Sequence, residues 1–302
     1  MRVLITGGCG FIGYHLIRRM LRKDYNLIIL DNLTRGVCNV KDISSEIVFI
    51  KDDIRNTEIM EKLIKRSDIV VHLAAFSKVF PSIMNPETCF KINVEGTERI
   101  ARYCAKYTKK LIFTSSREVY GNALYLPVDE GHPLNPINPY GASKVSAEKI
   151  IEAYSKCYGL DYVILRLSNV YGPLDFDRVI PIFIKRAIEN KDLIIYGRHK
   201  LLDFIYVDDV INAILMAMEL DENSVLNIGS NKGISLISIT KLIKKLVNST
   251  SNIIIKNKRK GEVEKFIADI NKAKKVLKWK PRISLEEGLK KTIKAIKSEK
   301  EA

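Results

Sequence analysis

The chain has 302 residues, of which 46% are hydrophobic, and its 50 Lys and Arg against 35 Asp and Glu give a formal net charge of +15. Such a length can bury a large core, as one big or two modest domains, and no apolar run reaches the roughly 20 residues that span a bilayer. Five cysteines without C-x-x-C spacing, and a first strand that leaves no room for a signal peptide, favour a cytoplasmic protein with reduced thiols.

The N-terminal segment predicts a strand, a glycine-rich loop and a helix. Residues 2–6 have the pattern of a buried strand, and helical spacing extends from about 11 to 22. Between them lie Gly7, Gly10 and Gly13, spaced as G-x-x-G-x-x-G. Glycines allow a tight turn and a close approach of the backbone to a pyrophosphate, whose charge the helix N-terminus favours.

An acidic residue ends the second predicted strand. Asp31 closes the apolar run 27–30 and follows Gly13 by 18 residues. A carboxylate at this place accepts hydrogen bonds from an adenosine ribose and repels a 2′-phosphate, which favours NAD over NADP. Arg35 keeps NADP as the alternative, because it could turn toward a 2′-phosphate.

Strand and helix patterns alternate as far as residue 168. Such alternation predicts a parallel, doubly wound α/β sheet that binds ligands beyond the carboxyl ends of its strands. The predicted strands are 2–6, 26–30, 46–50, 69–73, 110–114 and 162–167, and further helical spacing covers 57–66, 86–108 and 140–158.

A tyrosine and a lysine share one face of the helix predicted for 140–158. Tyr140 follows Pro139, and Lys144 lies one turn later. A tyrosine hydroxyl is a poor base at neutral pH, but a nearby ammonium favours its phenolate. With a hydroxyl such as that of Ser116, this set suits removal of a proton from an alcohol while hydride leaves the same carbon. Tyr196 and Lys200 share the spacing but lie in a loop.

From residue 169 onward the pattern changes to a smaller α/β domain. We expect helices near 180–189, 235–247, 270–277 and 284–298 and a strand at 193–196. Residues 204–230 are predicted to return to the main sheet, with 208–219 helical and 225–228 a strand. The predicted domains are therefore 1–168 with about 204–230, for NAD, and about 169–203 with 231–302, for the substrate.

The chain resembles the extended short-chain dehydrogenase/reductases, in their nucleotide-sugar epimerase and dehydratase group. The resemblance covers nearly the whole chain and identifies a Rossmann-type fold. Its segments are Thr6-Gly-Gly-Cys-Gly-Phe-Ile-Gly13, Asp31-Asn-Leu33, Asp53-Ile54, His72-Leu-Ala-Ala75, Asn93-Val-Glu-Gly-Thr97, Ser115-Ser-Arg-Glu-Val-Tyr-Gly121, Tyr140-Gly-Ala-Ser-Lys144, Arg166-Leu-Ser-Asn-Val-Tyr-Gly-Pro173, Tyr206-Val-Asp-Asp209, Gly261-Glu-Val263 and Ala268-Asp269.

The resemblance implies roles for individual residues. Tyr140 is the catalytic base and acid, Lys144 tunes it and binds the nicotinamide ribose, and Ser116 hydrogen-bonds the reacting hydroxyl. His72 is expected to be structural, and no metal is expected. The implied NAD-binding residues are Gly7, Gly10, Phe11, Ile12, Gly13, Asp31, Asn32, Asp53, Ile54, Leu73, Ala74, Ala75, Ser77, Asn93, Ser115, Tyr140 and Lys144, and the substrate-binding residues are Lys78, Ser116, Asn169, Val179 and Arg259.

Two departures from the family pattern bear on the reaction. In 4,6-dehydratases the triplet at 116–118 is typically Thr-Asp-Glu, whereas here Arg117 replaces the acid, which disfavours dehydration. Glu118 is kept, as in UDP-glucuronate decarboxylases, so it is a candidate catalytic group, or else it only pairs with Arg117. Leu202 stands where the family has a diphosphate-binding arginine, and Arg198 or Lys200 could substitute.

The resemblance thus implies an NAD-dependent nucleotide-sugar 4-epimerase of the UDP-glucose/UDP-galactose type. The alternatives are a UDP-glucuronate decarboxylase, a 4,6-dehydratase, a sugar or alcohol dehydrogenase, and a non-enzymatic dinucleotide sensor. We expect a homodimer formed through helices 86–108 and 140–158 and no membrane partner. No nucleic-acid partner is expected either, although residues 241–302 hold 19 Lys and Arg against 7 Asp and Glu.

Overall fold

The computed structural model describes residues 1–23, 25–35 and 47–301, with side chains as far as residue 298. Cys38, one of the cysteines expected to be reduced, and residue 46 of the predicted strand 46–50 lie outside the described residues. The chain divides into two compact units. Unit 1 comprises Met1–Gly121, Pro133–Arg166 and Ile211–Leu226, and unit 2 comprises Asn122–His132, Leu167–Val210 and Asn227–Ala302.

Thirteen strands are found in the described ranges. They are β1 (Arg2–Thr6), β2 (Asn26–Asp31), β3 (Val48–Lys51), β4 (Ile69–His72), β5 (Lys110–Ser116), β6 (Tyr162–Leu167), β7 (Asn169–Tyr171), β8 (Leu193–Tyr196), β9 (Leu201–Tyr206), β10 (Ser224–Ile228), β11 (Gly233–Ser235), β12 (Ile253–Lys256) and β13 (Lys265–Phe266).

The described part of the chain also contains eleven α-helices. They are α1 (Phe11–Met20), α2 (Thr57–Lys65), α3 (Val79–Met84), α4 (Pro86–Phe90), α5 (Gly96–Lys106), α6 (Pro139–Tyr158), α7 (Val179–Ile188), α8 (Val207–Met218), α9 (Leu236–Val247), α10 (Asn271–Val276) and α11 (Leu285–Glu301). The single helix predicted for 86–108 is instead α4 and α5 joined by a π-helical turn, Lys91–Glu95.

The largest sheet has the strand order β10-β6-β5-β4-β1-β2-β3 among the described residues. Strands β1 and β2 pair in parallel, as do β1 and β4, β4 and β5, and β2 and β3. The order reverses between β1 and β4, which places the ligand crevice of a Rossmann-type sheet beyond the carboxyl ends of these two strands. The predicted doubly wound α/β fold is confirmed.

Apolar runs in the central strands are buried on both faces, as a sheet covered by helices requires. Val3, Leu4 and Ile5 of β1 have no exposed surface. One core cluster joins Leu4 and Leu111 to helix residues such as Ile100 of α5 and Ala147 of α6. This packing fixes α6 against the sheet.

The prediction that residues 204–206 return to the main sheet is wrong. Strand β9 pairs instead with β7, β11 and β13 in unit 2. The reason is that its alternate side chains pack within unit 2: Phe204 and Tyr206 both contact the ring of Tyr171 edge-on. The buried carboxylate of Asp203 accepts backbone N–H bonds from Ser230, Asn231 and Ala268.

The predicted domain bounds differ from this division in three places. Unit 1 ends its main part at Arg166, and the returning segment covers 211–226. Residues 122–132 belong to unit 2, because Val128 pairs with the backbone of Ile267 and Asp269. The assignment of NAD to one domain and of substrate to the other stays a prediction.

Candidate active site

The glycine loop folds tightly between β1 and α1. Gly7 has φ +72°, and a Cβ on it would lie 2.6 Å from the backbone nitrogen of Ala74. A Cβ on Gly13 would lie 2.5 Å from the carbonyl oxygen of Gly7. The N-cap of α1 is Gly10, which has no side chain to accept from the first N–H groups of the helix. This donor set fits a pyrophosphate.

Asp31 connects the end of β2 to the glycine loop. Its Oδ2 accepts the N–H of Cys9 at 2.9 Å, and its Oδ1 accepts the N–H of Leu33 at 2.7 Å. Burial raises the pKa of Asp31, while these two donors act in the opposite direction. Each carboxylate oxygen keeps a further acceptor site, so Asp31 also fits the hydroxyls of an adenosine ribose.

Asn32 and Asp53, both predicted at the cofactor, contact each other. The amide of Asn32 donates to Asp53 Oδ2 at 2.8 Å, and Arg55 binds the same carboxylate through Nε at 2.8 Å. Partial burial opposes ionisation, but Arg55 and Asn32 prevail and hold the pKa of Asp53 at about 2. Ile54 is buried beneath Gly96 of α5.

Arg35, the residue that kept NADP as an alternative, contacts another predicted cofactor residue. Its Nη1 donates to the Ser77 hydroxyl at 2.6 Å. The segment that contains Ser77, together with Leu73, Ala74 and Ala75, is half-buried.

His72 is a structural residue at the end of β4. Its Nδ1 lies 2.7 Å from Oγ1 of Thr6, and its Nε2 lies 3.1 Å from Oγ1 of Thr97. The Thr97 hydroxyl donates its single proton to the carbonyl oxygen of Asn93, so Nε2 must donate and Nδ1 must accept. Burial lowers the pKa of His72 to about 3, which keeps the imidazole neutral.

Asn93 holds the segment after β4 against helix α6. Its Oδ1 accepts the N–H of Phe76 at 2.8 Å, and its Nδ2 donates to the Phe76 carbonyl oxygen at 3.2 Å. The same Nδ2 donates to the Ser143 hydroxyl at 2.9 Å, and Ser143 donates to the carbonyl oxygen of Tyr140. Asn93 therefore connects the predicted cofactor segment with the turn that carries Tyr140.

Lys144 is buried against the end of β5. Its Nζ donates to the carbonyl oxygen of Thr114 at 2.8 Å and lies 4.5 Å from the ring centroid of Phe113. Burial lowers the pKa of Lys144 to about 8, whereas Cys89 and Glu148 act to raise it. Tyr140 is half-buried one turn earlier, and its backbone N–H donates to the Ser82 hydroxyl.

Ser116 and Ser115 end the strand that faces this helix. The hydroxyl of Ser116 accepts the backbone N–H of Glu118 at 3.2 Å and so caps a 3₁₀ turn, Arg117–Val119. Ser116 is 9% exposed. The two elements that carry Ser116, Tyr140 and Lys144 are thus packed together in unit 1.

Glu118 is buried, and both of its carboxylate oxygens have protein partners. Its Oε1 pairs with Arg117 Nη2 at 2.8 Å, and its Oε2 accepts the side-chain amide of Asn138 at 2.8 Å. These contacts favour the pairing role over a chemical one.

The residues predicted at the substrate lie in different units. Lys78, in unit 1, precedes α3. In unit 2, Asn169 donates to the carbonyl oxygen of Asp203 at 2.8 Å, and Val179 begins α7. The guanidinium carbon of Arg259 lies 3.6 Å from the ring centroid of Tyr196. Tyr196 and Lys200, the second pair with the Tyr-x-x-x-Lys spacing, belong to this unit.

Lys200 immediately precedes β9, and Leu202 is the second residue of that strand. Leu202 is buried, and Lys200 forms an ion pair with Glu262. Glu262 also lies 3.9 Å from Arg259. The two basic side chains thus meet at one carboxylate.

The roles of three residues beside this site were not predicted from the sequence. Asn138 is the N-cap of α6 and accepts the N–H of Gly141 at 2.8 Å. Its signal was present, since an Asn-Pro pair commonly begins a helix. Glu148 and Arg166 form a buried ion pair at 2.6 Å, and charged residues within apolar elements were the available signal.

Metal-binding groups and membrane-spanning helices are absent from the described residues. Among residues 1–23, 25–35 and 47–301, no three His, Cys, Asp or Glu side chains are grouped as a metal would require. Within the same described ranges, every helix is too short or too polar to traverse a membrane.

The chain is similar to proteins of known family. The family model for GDP-mannose 4,6 dehydratase matches residues 4–292. A protein of Methanocaldococcus jannaschii that carries the provisional name UDP-glucose 4-epimerase is 41% identical, over 98% of each chain. The structure of a UDP-glucose 4-epimerase from Thermotoga maritima with UDP-glucose has a TM-score of 0.94, 36% identity and 99% coverage of both chains. A Bacillus cereus UDP-glucuronic acid 4-epimerase with UDP-glucuronic acid and NAD has a TM-score of 0.92 and 31% identity, again over 99% of both chains.

Proposed function

We propose, because the chain belongs to the extended short-chain dehydrogenase/reductase family of NAD-dependent nucleotide-sugar epimerases and dehydratases, that it is a UDP-sugar 4-epimerase. Three predictions are confirmed: the family, NAD as the cofactor, and an enzyme of the NAD-dependent nucleotide-sugar class. UDP-glucose and UDP-galactose are the proposed substrate pair.

The observation that carries the proposal is the packing of Lys144 beneath the strand that ends in Ser116. Bound NAD would supply the acceptor for the hydride at C4 of the sugar and the donor that gives it back to the other face. Tyr140 takes the proton of the 4-hydroxyl and later gives it back, and the ammonium of Lys144 favours the phenolate that this requires. The Ser116 hydroxyl orients the reacting oxygen.

The remaining cofactor residues are proposed to act as two groups. Gly7, Gly10, Phe11, Ile12 and Gly13 bind the pyrophosphate through the backbone, and Asp31 binds the adenosine ribose. Asp53 acts through its contact with Asn32 and not as a titrating group, because its pKa of about 2 keeps it ionised. The sugar nucleotide contacts Lys78, Asn169, Val179 and Arg259.

Lys200 is proposed to replace the arginine that is missing at Leu202. It lies two residues before Leu202, immediately ahead of β9, and, like Arg259, pairs with Glu262. A bound diphosphate would neutralise the charges of both side chains in place of this carboxylate. The Lys200 ammonium cannot form the bidentate hydrogen bonds that a guanidinium forms.

The dehydratase and decarboxylase alternatives are less well supported. Dehydration needs a carboxylic acid at the position that Arg117 occupies. Both alternatives would use Glu118 as a chemical group, yet its two oxygens are engaged by Arg117 and Asn138. We therefore assign Glu118 to positioning of the turn beside Ser116.

We also propose a cytoplasmic homodimer with no nucleic-acid partner. No disulfide joins the described cysteines Cys9, Cys89, Cys104 and Cys157. Helices of unit 1 expose apolar side chains, among them Met84 of α3, Phe90 of α4 and Tyr158 of α6, which a second copy would cover. Lysines of α11 pair with glutamates one turn away, as expected for a solvated helix face.

The test is product analysis by NMR after incubation of the purified enzyme, without added NAD, with UDP-, GDP-, CDP- and dTDP-sugars. We expect a 4-epimer pair from the UDP-sugars and no net NADH. Release of CO2 or of water from the sugar nucleotide would overturn the proposal. In parallel, Tyr140→Phe should reduce turnover by several orders of magnitude while bound NAD is retained, and near-normal turnover would refute the role of Tyr140.

A further inference from the structure

A buried polar network lies on the core side of the proposed catalytic residues. The carboxylate of Glu148 has no exposed surface and accepts hydrogen bonds from two nitrogens of Arg166, Nε at 3.1 Å and Nη2 at 2.6 Å. The Ser115 hydroxyl donates to the same carboxylate. Nη1 of Arg166 donates to the hydroxyl of Tyr120 at 2.8 Å. All four residues belong to unit 1.

The network connects every element that carries a proposed catalytic residue. Glu148 lies one helical turn after Lys144 and two turns after Tyr140, on one face of α6. Ser115 is the neighbour of Ser116 at the end of β5, and Tyr120 follows the 3₁₀ turn of Glu118. A substitution of Glu148 should therefore affect the site in two ways. It removes the hydrogen bond with Ser115, the neighbour of Ser116, and it removes a charge one helical turn from Lys144.

The charge of Glu148 acts on Lys144. Lys144 is fully buried, and burial favours its neutral form. The ionisable groups around it are Glu148 on its own helix, Cys89 of α4 and His72 of β4, together with Arg166 of β6 bound to Glu148. His72 is neutral, and burial raises the pKa of the Cys89 thiol, which keeps it uncharged near neutral pH. Cys89 acts on the Lys144 pKa more strongly than Glu148 but only as a thiolate, so near neutral pH Glu148 is the anion that supports the ammonium.

We propose that Glu148 is a positioning residue of the active site: its carboxylate, held by Arg166, keeps the Lys144 ammonium charged and fixes the strand end that carries Ser116. This inference rests on the proposed function, since it assumes that Tyr140 works as a phenolate. Stability alone gives a weak reason for such a pair, because buried ion pairs replaced by apolar residues are often no less stable.

The test is a spectroscopic pH titration of Tyr140 in the purified holoenzyme without any sugar nucleotide. The ultraviolet signal of phenolate formation is recorded for the wild type and for Tyr140→Phe, and their difference isolates Tyr140 from the other tyrosines. The same pair of proteins is then compared in a Glu148→Gln background. Loss of the carboxylate lowers the pKa of Lys144, so the pKa of the Tyr140 phenol should rise by about one unit.

Glu152→Gln is the matched control. Glu152 lies one turn further along α6, and its carboxylate pairs with Lys149 at the surface. The same chemical change at Glu152 should leave the pKa of Tyr140 unchanged. An unchanged titration in Glu148→Gln, or an equal shift in Glu152→Gln, overturns the proposal.

A second variant serves if Glu148→Gln does not fold with Arg166 left unpaired. Glu148→Gln with Arg166→Gln removes both buried charges, and the Tyr140 pKa should still rise, because Glu148 is among the groups that raise the pKa of Lys144 and Arg166 is not among the groups that shift it. No shift in this double variant overturns the proposal. The titration contains no substrate, so a shift of the Tyr140 pKa would support the role of Glu148 even if the protein had no epimerase activity. Failure of this proposal is therefore distinguishable from failure of the proposed function.

Discussion

The side-chain amide of Asn138 donates to Oε2 of Glu118 at 2.8 Å, while its oxygen accepts the N–H of Gly141 at 2.8 Å. One side chain therefore caps α6 and binds the 3₁₀ turn that follows Ser116. Through this contact, the start of the helix that carries Tyr140 is fixed relative to the end of the strand that carries Ser116.

Asn138→Ala should reduce both stability and turnover. Loss of the cap costs about 1 kcal/mol, and the buried Glu118 oxygen left without its donor adds about 1–2 kcal/mol. A small displacement of Tyr140 should lower kcat roughly 10- to 100-fold. The control is Asn56→Ala, which removes the N-cap of α2. It should lower the free energy of unfolding by about 1 kcal/mol with unchanged kcat; equal kcat values in the two variants would contradict the positioning argument.

Gly7→Ala should destabilise the protein and empty it of NAD. Gly7 has φ +72°, and the new Cβ would lie 2.6 Å from the Ala74 nitrogen. Gly159 has φ +68° but no heavy atom within 4 Å of such a Cβ. Gly159→Ala should thus lose about 1 kcal/mol from backbone strain alone, and Gly7→Ala about 1–3 kcal/mol more. Chemical denaturation and the NAD content of the purified variants measure both effects; similar losses would refute the close approach.

Lys144→Met should abolish activity and yet change the pH dependence of stability. The pKa of Lys144 in the folded protein is about 8, below its ordinary 10.5. The charged lysine therefore destabilises the fold below pH 8. This destabilisation decreases as the pH rises from 8 and is gone above 10.5. The unfolding free energy of Lys144→Met relative to wild type should be larger at pH 7 than at pH 10, by roughly 2 kcal/mol. A pH-independent difference would show that Lys144 is not buried as a charged group.

The sequence predicts most of the main sheet, because its strands are continuous apolar runs and its helices have clear periodicity. It does not separate β9 from that sheet, since the pattern Leu202, Phe204, Tyr206 specifies a buried face without specifying its partner strands. The π-helical turn at 91–95 was also hidden, because Asn93 is held there by contacts with Phe76 and Ser143, which are distant in sequence.

For the candidate site, motif spacing locates Ser116, Tyr140 and Lys144 but not the groups that hold them. Glu148 and Arg166 are 18 residues apart and pair only when β6 lies beside α6. The partners of Glu118 likewise depend on the tertiary fold. The sequence left its chemical and pairing roles open, and only the contacts with Arg117 and Asn138 favour the pairing role.

The most direct test of the central claim follows an isotope at C4 of the sugar. UDP-glucose carrying deuterium at C4 is incubated with the wild-type holoenzyme in ordinary water, and the product is examined by NMR. Because the C4 hydride leaves and returns while Tyr140 handles only the hydroxyl proton, UDP-galactose should form with the deuterium still at C4. Deuterium found at another carbon or lost to water, or a product that lacks the C6 oxygen, would contradict the account.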